Sequence, residues 1–185
     1  MITGIAAVRR VADGSLVPHA ELTGGLLNDM LVDSHGCAYV GNFGFDLMSG
    51  GPPRTANLVL VRPDGTTGVA AEELAFPNGI VLVDGGSTLV VAETLGNRLS
   101  GYTVGPDGAL SERRDWAPFG PSPTGSEVAE MLAESSVAPD GICAAPDDCA
   151  LGGADGHTLF ICAAPSFLEH ERRDTREAVL LAATV

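Results

Sequence analysis

One pattern occurs twice in this chain and starts a third time, and it restricts the fold to architectures built by repetition. A polar residue opens an apolar stretch, a glycine turn follows, and a second β-type run closes the unit. The first copy reads Asn28-Asp29-Met30-Leu31-Val32-Asp33, Gly36 and Ala38-Tyr39-Val40-Gly41. The second reads Asn78-Gly79-Ile80-Val81-Leu82-Val83, Gly86 and Leu89-Val90-Val91-Ala92, and a third opens at Asp140-Gly141-Ile142-Cys143. The starts fall 50 and 62 residues apart, near the ~40–50 residues of one propeller blade.

A second unit alternates with the first. A strand, an Asp-Gly turn and a return strand occur at Val8–Val11 with Asp13-Gly14, at Leu58–Val61 with Asp64-Gly65, and at Leu99–Val104 with Asp107-Gly108. Asp-Gly between strand-like runs is a hairpin signal. Together the two units give four strands per repeat, the make-up of one blade. Blades are expected at about 28–74 and 78–116, with residues 1–22 as the outer hairpin of an earlier blade.

The third copy breaks the rhythm. After Asp140, Ala144-Ala145-Pro146-Asp147-Asp148 offers no inner strand pair. The next strand, from Thr158, has the context of residues 86–91 instead. Two blades are read as fused, with most of one missing between about Ala145 and Cys149. The expected fold is a single all-β domain over 1–185, an incomplete β-propeller with about four blades' worth of strands. One helix is expected, from Phe167 to Ala178, capped by Ser166 with Glu169 three residues on.

Composition narrows the function. The 185 residues suit one domain, and 45% of them are apolar, enough for a core. The net charge of −14 comes from 10 basic and 24 acidic residues. It argues against nucleic acid, whose phosphates need clustered cations, and is compatible with a divalent cation or with a plain solvated acidic surface. Every basic residue is Arg, which excludes lysine Schiff-base chemistry and a P-loop. Cys37, Cys143, Cys149 and Cys162 form no CxxC pair and are read as reduced, half-buried thiols. No apolar run reaches the ~18 residues of a membrane span, and Met1 to Arg10 is too short and weakly apolar for a signal peptide. A cytoplasmic protein with no membrane partner is expected.

Asn28, Asn78 and Asp140 head the repeats. The innermost strand of each blade lines the channel, so equivalent residues at its start converge on the axis. Two amide oxygens and a carboxylate are hard donors suited to Ca2+ or Mg2+. Asn-Gly and Asp-Gly are also ordinary turn pairs, and the pattern alone leaves both readings open. His19, His35, His157 and His170 form no HxH or HExxH pattern and are read as surface residues in turns or on the helix. Ser87 and Ser126 lack a GxSxG elbow. Trp116 and Phe119, beside Pro118 and Pro121, are read as covering a loop.

Asn28-Asp29-Met30 with Val32-Asp33 and Gly36, Phe76-Pro77-Asn78-Gly79-Ile80, Ala92-Glu93-Thr94 with Asn97-Arg98-Leu99, and Pro139-Asp140-Gly141-Ile142-Cys143 resemble the senescence marker protein/gluconolactonase/regucalcin family, the luciferin-regenerating enzyme-like group. Cys149 to Gly153 followed by Thr158-Leu159-Phe160 resembles its last-blade signature. The resemblance implies a six-bladed propeller with a divalent metal, usually calcium, at the channel (Zn2+, Mn2+ or Mg2+ being the alternatives), and hydrolysis of a lactone or sugar-acid-like substrate. It implies metal ligation by Asn78 and Asp140, with Asn28 contacting metal, water or substrate, and a catalytic role for Asp140 in orienting or deprotonating the attacking water.

Two departures stand out. The family's first-blade Glu ligand has no counterpart, as though the chain were truncated at its start, and Glu21 and Glu93 are not placed to replace it. Leu26 stands where relatives often carry an Arg. A six-blade ring at ~45 residues per blade needs about 270 residues. The alternative to a hydrolase is therefore a degenerate, non-catalytic propeller that binds a ligand, or an interaction module that self-associates through open blade edges.

Overall fold

The computed structural model describes residues 2–3, 6–10, 13–22, 25–143, 158–163 and 179–184. Strands β1 (Ile2–Thr3), β2 (Ala6–Arg10) and β3 (Leu16–Glu21) form a three-stranded sheet. Strands β4 (Leu27–Val32), β5 (Ala38–Asn42), β6 (Ala56–Val61) and β7 (Thr67–Leu74) form a four-stranded antiparallel meander. The pattern is repeated by β8 (Pro77–Val83), β9 (Thr88–Glu93), β10 (Arg98–Val104) and β11 (Leu110–Pro118). Strands β12 (Thr158–Ala163) and β13 (Val179–Thr184) pair antiparallel. The two blades read from the repeat are the two meanders, within a few residues at each end. The opening hairpin, β2 and β3, carries the extra strand β1.

The Asp-Gly signal works through the aspartate. Asp13 Oδ1 accepts from the Ser15 amide at 2.9 Å, Asp64 Oδ1 from the Thr66 amide at 2.9 Å, and Asp107 Oδ1 from the Ala109 amide at 3.1 Å. Each carboxylate closes its own turn, and the following glycine takes the positive φ: 87° at Gly14, 86° at Gly65 and 79° at Gly108.

The inner strands read as unbroken apolar runs because both faces of each meander are covered. Every residue of β5 and of β9 is buried. Tyr39, Leu58, Leu60 and Leu74 of the first meander meet Ile80, Leu89, Val91 and Tyr102 of the second. The opposite face of the first meander packs Val40 and Val61 against Ala20 and Leu22 at the end of the opening hairpin. Two four-stranded meanders stacked face to face, with their first strands β4 and β8 in contact, have the make-up of propeller blades.

Several expectations need correction. A helix that the sequence reading did not include, α1 (Val128–Glu134), lies between β11 and Asp140. Trp116 is part of β11 and, with Phe119, packs against Val81, Val83, Val90, Ala92 and Leu99, so it covers a sheet face and not a loop. His19 is a strand residue of β3. Cys37 is free and buried, Cys143 free and exposed. The helix expected at 167–178 and the missing-blade junction near 145–149 lie outside the described residues. Among the described residues no helix is long and apolar enough to cross a membrane.

Candidate functional site

Asn28 and Asn78 occupy the second position of the innermost strand of their blades. In both blades the pairing slips at this point: the β4–β5 register shifts between Leu27 and Met30, and the β8–β9 register between Pro77 and Ile80. A slip of this kind frees a residue from the ladder and re-aims its side chain. The repeat thus preserves a local irregularity as well as a strand.

A chain of hydrogen bonds joins the three repeat heads. Asn28 Nδ2 donates to the carbonyl of Pro77 at 3.1 Å, the residue before Asn78. Asn78 Nδ2 donates to Thr94 Oγ1 at 3.2 Å, and Thr94 Oγ1 donates to the carbonyl of Pro139 at 2.7 Å, the residue before Asp140. The Gly79 amide donates to the carbonyl of Asp140 at 3.1 Å. Two glycines allow this approach. A Cβ on Gly41 would stand 3.0 Å from the Pro77 carbonyl oxygen, and one on Gly79 would stand 2.6 Å from that of Asp140.

The chemistry of the partners fixes how both amides point. The Pro77 carbonyl only accepts, so it must face the NH2 of Asn28. The Thr94 hydroxyl has given its proton to the Pro139 carbonyl, so it must accept from the NH2 of Asn78. Both amide oxygens are left without a hydrogen-bond donor among the described residues, and neither is a buried unsatisfied atom. The Asp140 side chain is exposed, with no hydrogen bond or ion pair to its carboxylate among those residues. Two open amide oxygens and one open carboxylate make an oxygen set of the kind that suits Ca2+ or Mg2+ better than thiophilic or imidazole-preferring metals. Among the described residues there is no cluster of three or more His, Cys, Asp or Glu fit to hold a metal. Any cation here would therefore lean on amides and a single charge.

Glu93, the last residue of β9, is fully buried and its oxygens are taken. Arg98 Nε reaches Oε1 at 3.0 Å and Nη2 reaches Oε2 at 3.1 Å. Arg113 Nη2 meets Oε1 at 2.9 Å, the Ala75 amide meets Oε2 at 2.8 Å, and the Ser100 hydroxyl donates to Oε1. Burial pushes this carboxyl's pKa up, but the Arg98, Ala75 and Ser100 hydrogen bonds and the charge of Arg98 outweigh it and hold the pKa below the ordinary 4.5. The group is a clamp between blades: Arg113 of the second blade also donates to the carbonyls of Glu72 and Glu73 in the first. It cannot double as a cation ligand.

Sequence reasoning placed Glu93, Thr94 and Asn97 within a motif without giving Thr94 or Asn97 a task. Thr94 connects two of the heads. Asn97, fully buried at φ 54°, holds a long loop, with Nδ2 on the Pro121 carbonyl at 3.1 Å and Oδ1 on the Val137 amide at 3.0 Å. The positive φ of a non-glycine residue was the available signal, and only the backbone reveals it.

Comparison with known proteins bears on both fold and lineage. Residues 2–149 match the SMP-30/gluconolactonase/LRE-like region. Among solved structures, a luciferin-regenerating enzyme is similar at TM-score 0.57 and 17% identity, over 80% of this chain and 44% of that one. A gluconolactonase from Xanthomonas campestris is similar at TM-score 0.51 and 21% identity, over 86% of this chain and 62% of that one. A calcium-binding regucalcin from Agrobacterium tumefaciens is matched at TM-score 0.47 and 22% identity, over 57% of this chain and 36% of that one. At these identities the first two likenesses speak for the propeller fold. This chain spans less than two thirds of the length of each of these three. The search of curated proteins found no match. With most of its length inside the matched region and its strands grouped as blades, the chain belongs to the SMP-30/gluconolactonase/LRE-like family.

Proposed function

We propose that the chain is a metal-dependent hydrolase of lactones or related esters, gluconolactonase-like, with Asn28, Asn78 and Asp140 at its centre. The observation that carries this reading is the hydrogen-bonded chain from Asn28 through Pro77, Asn78 and Thr94 to Pro139 and Asp140, which leaves two amide oxygens free. Asn78 and Asp140 are the ligands of a divalent cation, Ca2+ or another such as Mg2+, Mn2+ or Zn2+. Asn28 either completes the set or holds the substrate. Held by these residues, a cation would supply Lewis-acid polarisation of the scissile carbonyl and charge stabilisation at its oxygen. Asp140 orients the attacking water. A carboxylate beside a cation is a weak base, so positioning is its larger contribution and proton uptake the smaller.

Calorimetric titration of the full chain with Ca2+, Mn2+ and Zn2+, followed by pH-stat hydrolysis of δ-gluconolactone and γ-butyrolactone, tests the proposal. Cation binding that Asp140→Asn abolishes, together with turnover, supports it. Absence of cation binding overturns it.

A second reading is favoured by the state of Glu93. Its carboxylate is sealed within the blade clamp, which leaves Asp140 as the one carboxylate of the proposed set. A ligand-binding or interaction module without catalysis, self-associating through open blade edges, fits those facts. Light scattering that finds a monodisperse monomer counts against the self-association.

A further inference from the structure

Phe76 stands two places before Asn78, and its backbone sits at φ 62°. That left-handed conformation is costly for most side chains and free to glycine. Pro77 adds to the cost, because a proline favours an extended residue in front of it. A position that glycine would fill without strain carries instead a large aromatic ring, 7% exposed. Strain persists at such a place only where the surrounding contacts outweigh it.

The ring makes those contacts with the first blade. It stacks on Phe43 with 4.9 Å between centroids and 9° between planes, and Phe45 meets it at 6.1 Å and 54°. The excursion that Asn97 pins at Pro121 and Val137 packs the half-buried Val128, Met131 and Leu132 of α1 on the same cluster. The backbone is fastened to the second blade. The Thr94 amide donates to the Phe76 carbonyl at 3.1 Å and the Leu95 amide to the Ala75 carbonyl at 3.1 Å. One of these bonds recurs in both blades. Phe43, the first residue after β5, donates its amide to the carbonyl of Leu26 at 3.1 Å, as Thr94, the first after β9, does to that of Phe76. Each acceptor lies two residues before the asparagine that heads its repeat. The stack therefore ties the anchor of Asn28 to the anchor of Asn78, and Asn28 closes the circuit on the carbonyl of Pro77.

We infer that Phe76 is a positioning residue: its ring, stacked on Phe43, sets Asn28 and Asn78 relative to one another across the two blades. The inference rests on the proposed site for its cation arm and not for its geometry. The test uses the full chain without added metal. NMR follows hydrogen exchange of the Asn28 and Asn78 side-chain NH2 groups, with the backbone amides of β9 and β10 as reference. Phe43→Leu and Phe76→Leu keep an apolar side chain and delete the stack. Each should speed the NH2 exchange about threefold to tenfold, the worth of an aromatic pair expressed as an equilibrium, and leave the reference amides unchanged. Phe43→Tyr keeps the stack at a half-buried position where the hydroxyl can reach water, and should leave the NH2 exchange unchanged. Calorimetric Ca2+ affinity should fall by the same factor in the Leu variants. Unchanged NH2 exchange in a folded Leu variant, or a rise shared by the reference amides, overturns the positioning role. Exchange that responds in a chain that takes up no Ca2+ overturns the hydrolase and supports the positioning. Ca2+ uptake with equal affinity in a Leu variant does the reverse.

Discussion

Arg98 and Glu93 face each other across β10 and β9 and are joined twice, Nε to Oε1 at 3.0 Å and Nη2 to Oε2 at 3.1 Å. Because the carboxylate is wholly buried and the Arg98 side chain only 26% exposed, removing one partner leaves the rest of the network uncompensated. Glu93→Ala is expected to cost about 3–5 kcal/mol. For a chain of this size that is a fall of roughly 6–20 °C in Tm, read by thermal denaturation. The substitution also frees Arg113, so the loss should exceed that of Arg98→Met.

Acid should act through the same group. The folded-state pKa of Glu93 lies below its ordinary value of 4.5. Its contribution is therefore fully present above that value and is lost as pH falls through the depressed folded pKa. The Tm gap between the unmodified protein and Glu93→Gln should be widest at neutral pH and should narrow below about pH 4.5. A gap that is constant from pH 7 to pH 3 would contradict this.

Thr94→Val keeps the shape and deletes the hydroxyl that passes a hydrogen bond from Asn78 to Pro139. It is expected to cost about 1–3 kcal/mol, because the Pro139 carbonyl loses its donor. Cation affinity should fall with it, as the Asn78 amide is then free to turn. Thr94→Ser should restore both. Denaturant titration and calorimetry check the pair.

Gly79→Ala places a methyl group against the backbone of residues 140–142, with 2.6 Å to the Asp140 carbonyl oxygen. Backbone on both sides leaves little room to yield. The substitution should break the Gly79–Asp140 hydrogen bond, speed hydrogen exchange at the Gly79 amide, and weaken cation binding at least tenfold.

Asn97→Ala removes both pins of the excursion and puts alanine at φ 54°. About 1–3 kcal/mol of stability should be lost. Glu127, Glu130 and Glu134, within the excursion, should become faster sites for a glutamate-specific protease, as followed by mass spectrometry.

The blades were legible in the sequence because two physical signals coincide in each. Asp64-Gly65 and Asp107-Gly108 close turns that the aspartate itself hydrogen-bonds, and β5 and β9 are covered on both faces. The heads Asn28 and Asn78 were legible from their equivalent positions, and a shared register slip explains their shared residue type. Helix α1 was hidden because two turns give too little periodicity: Val128, Met131 and Leu132 have helical spacing, but what they pack on is far away in sequence. The return strand after Asp107-Gly108 was expected, but the charged run Glu112 to Asp115 on its exposed part hid that Trp116 packs on a sheet face. Thr94 gave no sign of its task, since its partners lie 16 residues before it and 45 after.

The turn glycines also reach beyond their own hairpins. A Cβ on Gly65 would stand 2.6 Å from the His19 carbonyl oxygen of the preceding blade, and one on Gly108 would stand 3.2 Å from Cys37 Sγ, while Tyr39 Oη donates to the Gly108 carbonyl at 3.0 Å. At Gly14 a Cβ would meet nothing within 4 Å among the described residues. Asparagine, which tolerates a left-handed backbone, is therefore an admissible replacement at the first turn and not at the other two. What reads as punctuation along the chain is at those two sites a mating surface, so a blade transplanted into another ring has to bring with it a neighbour hollowed to receive its bend.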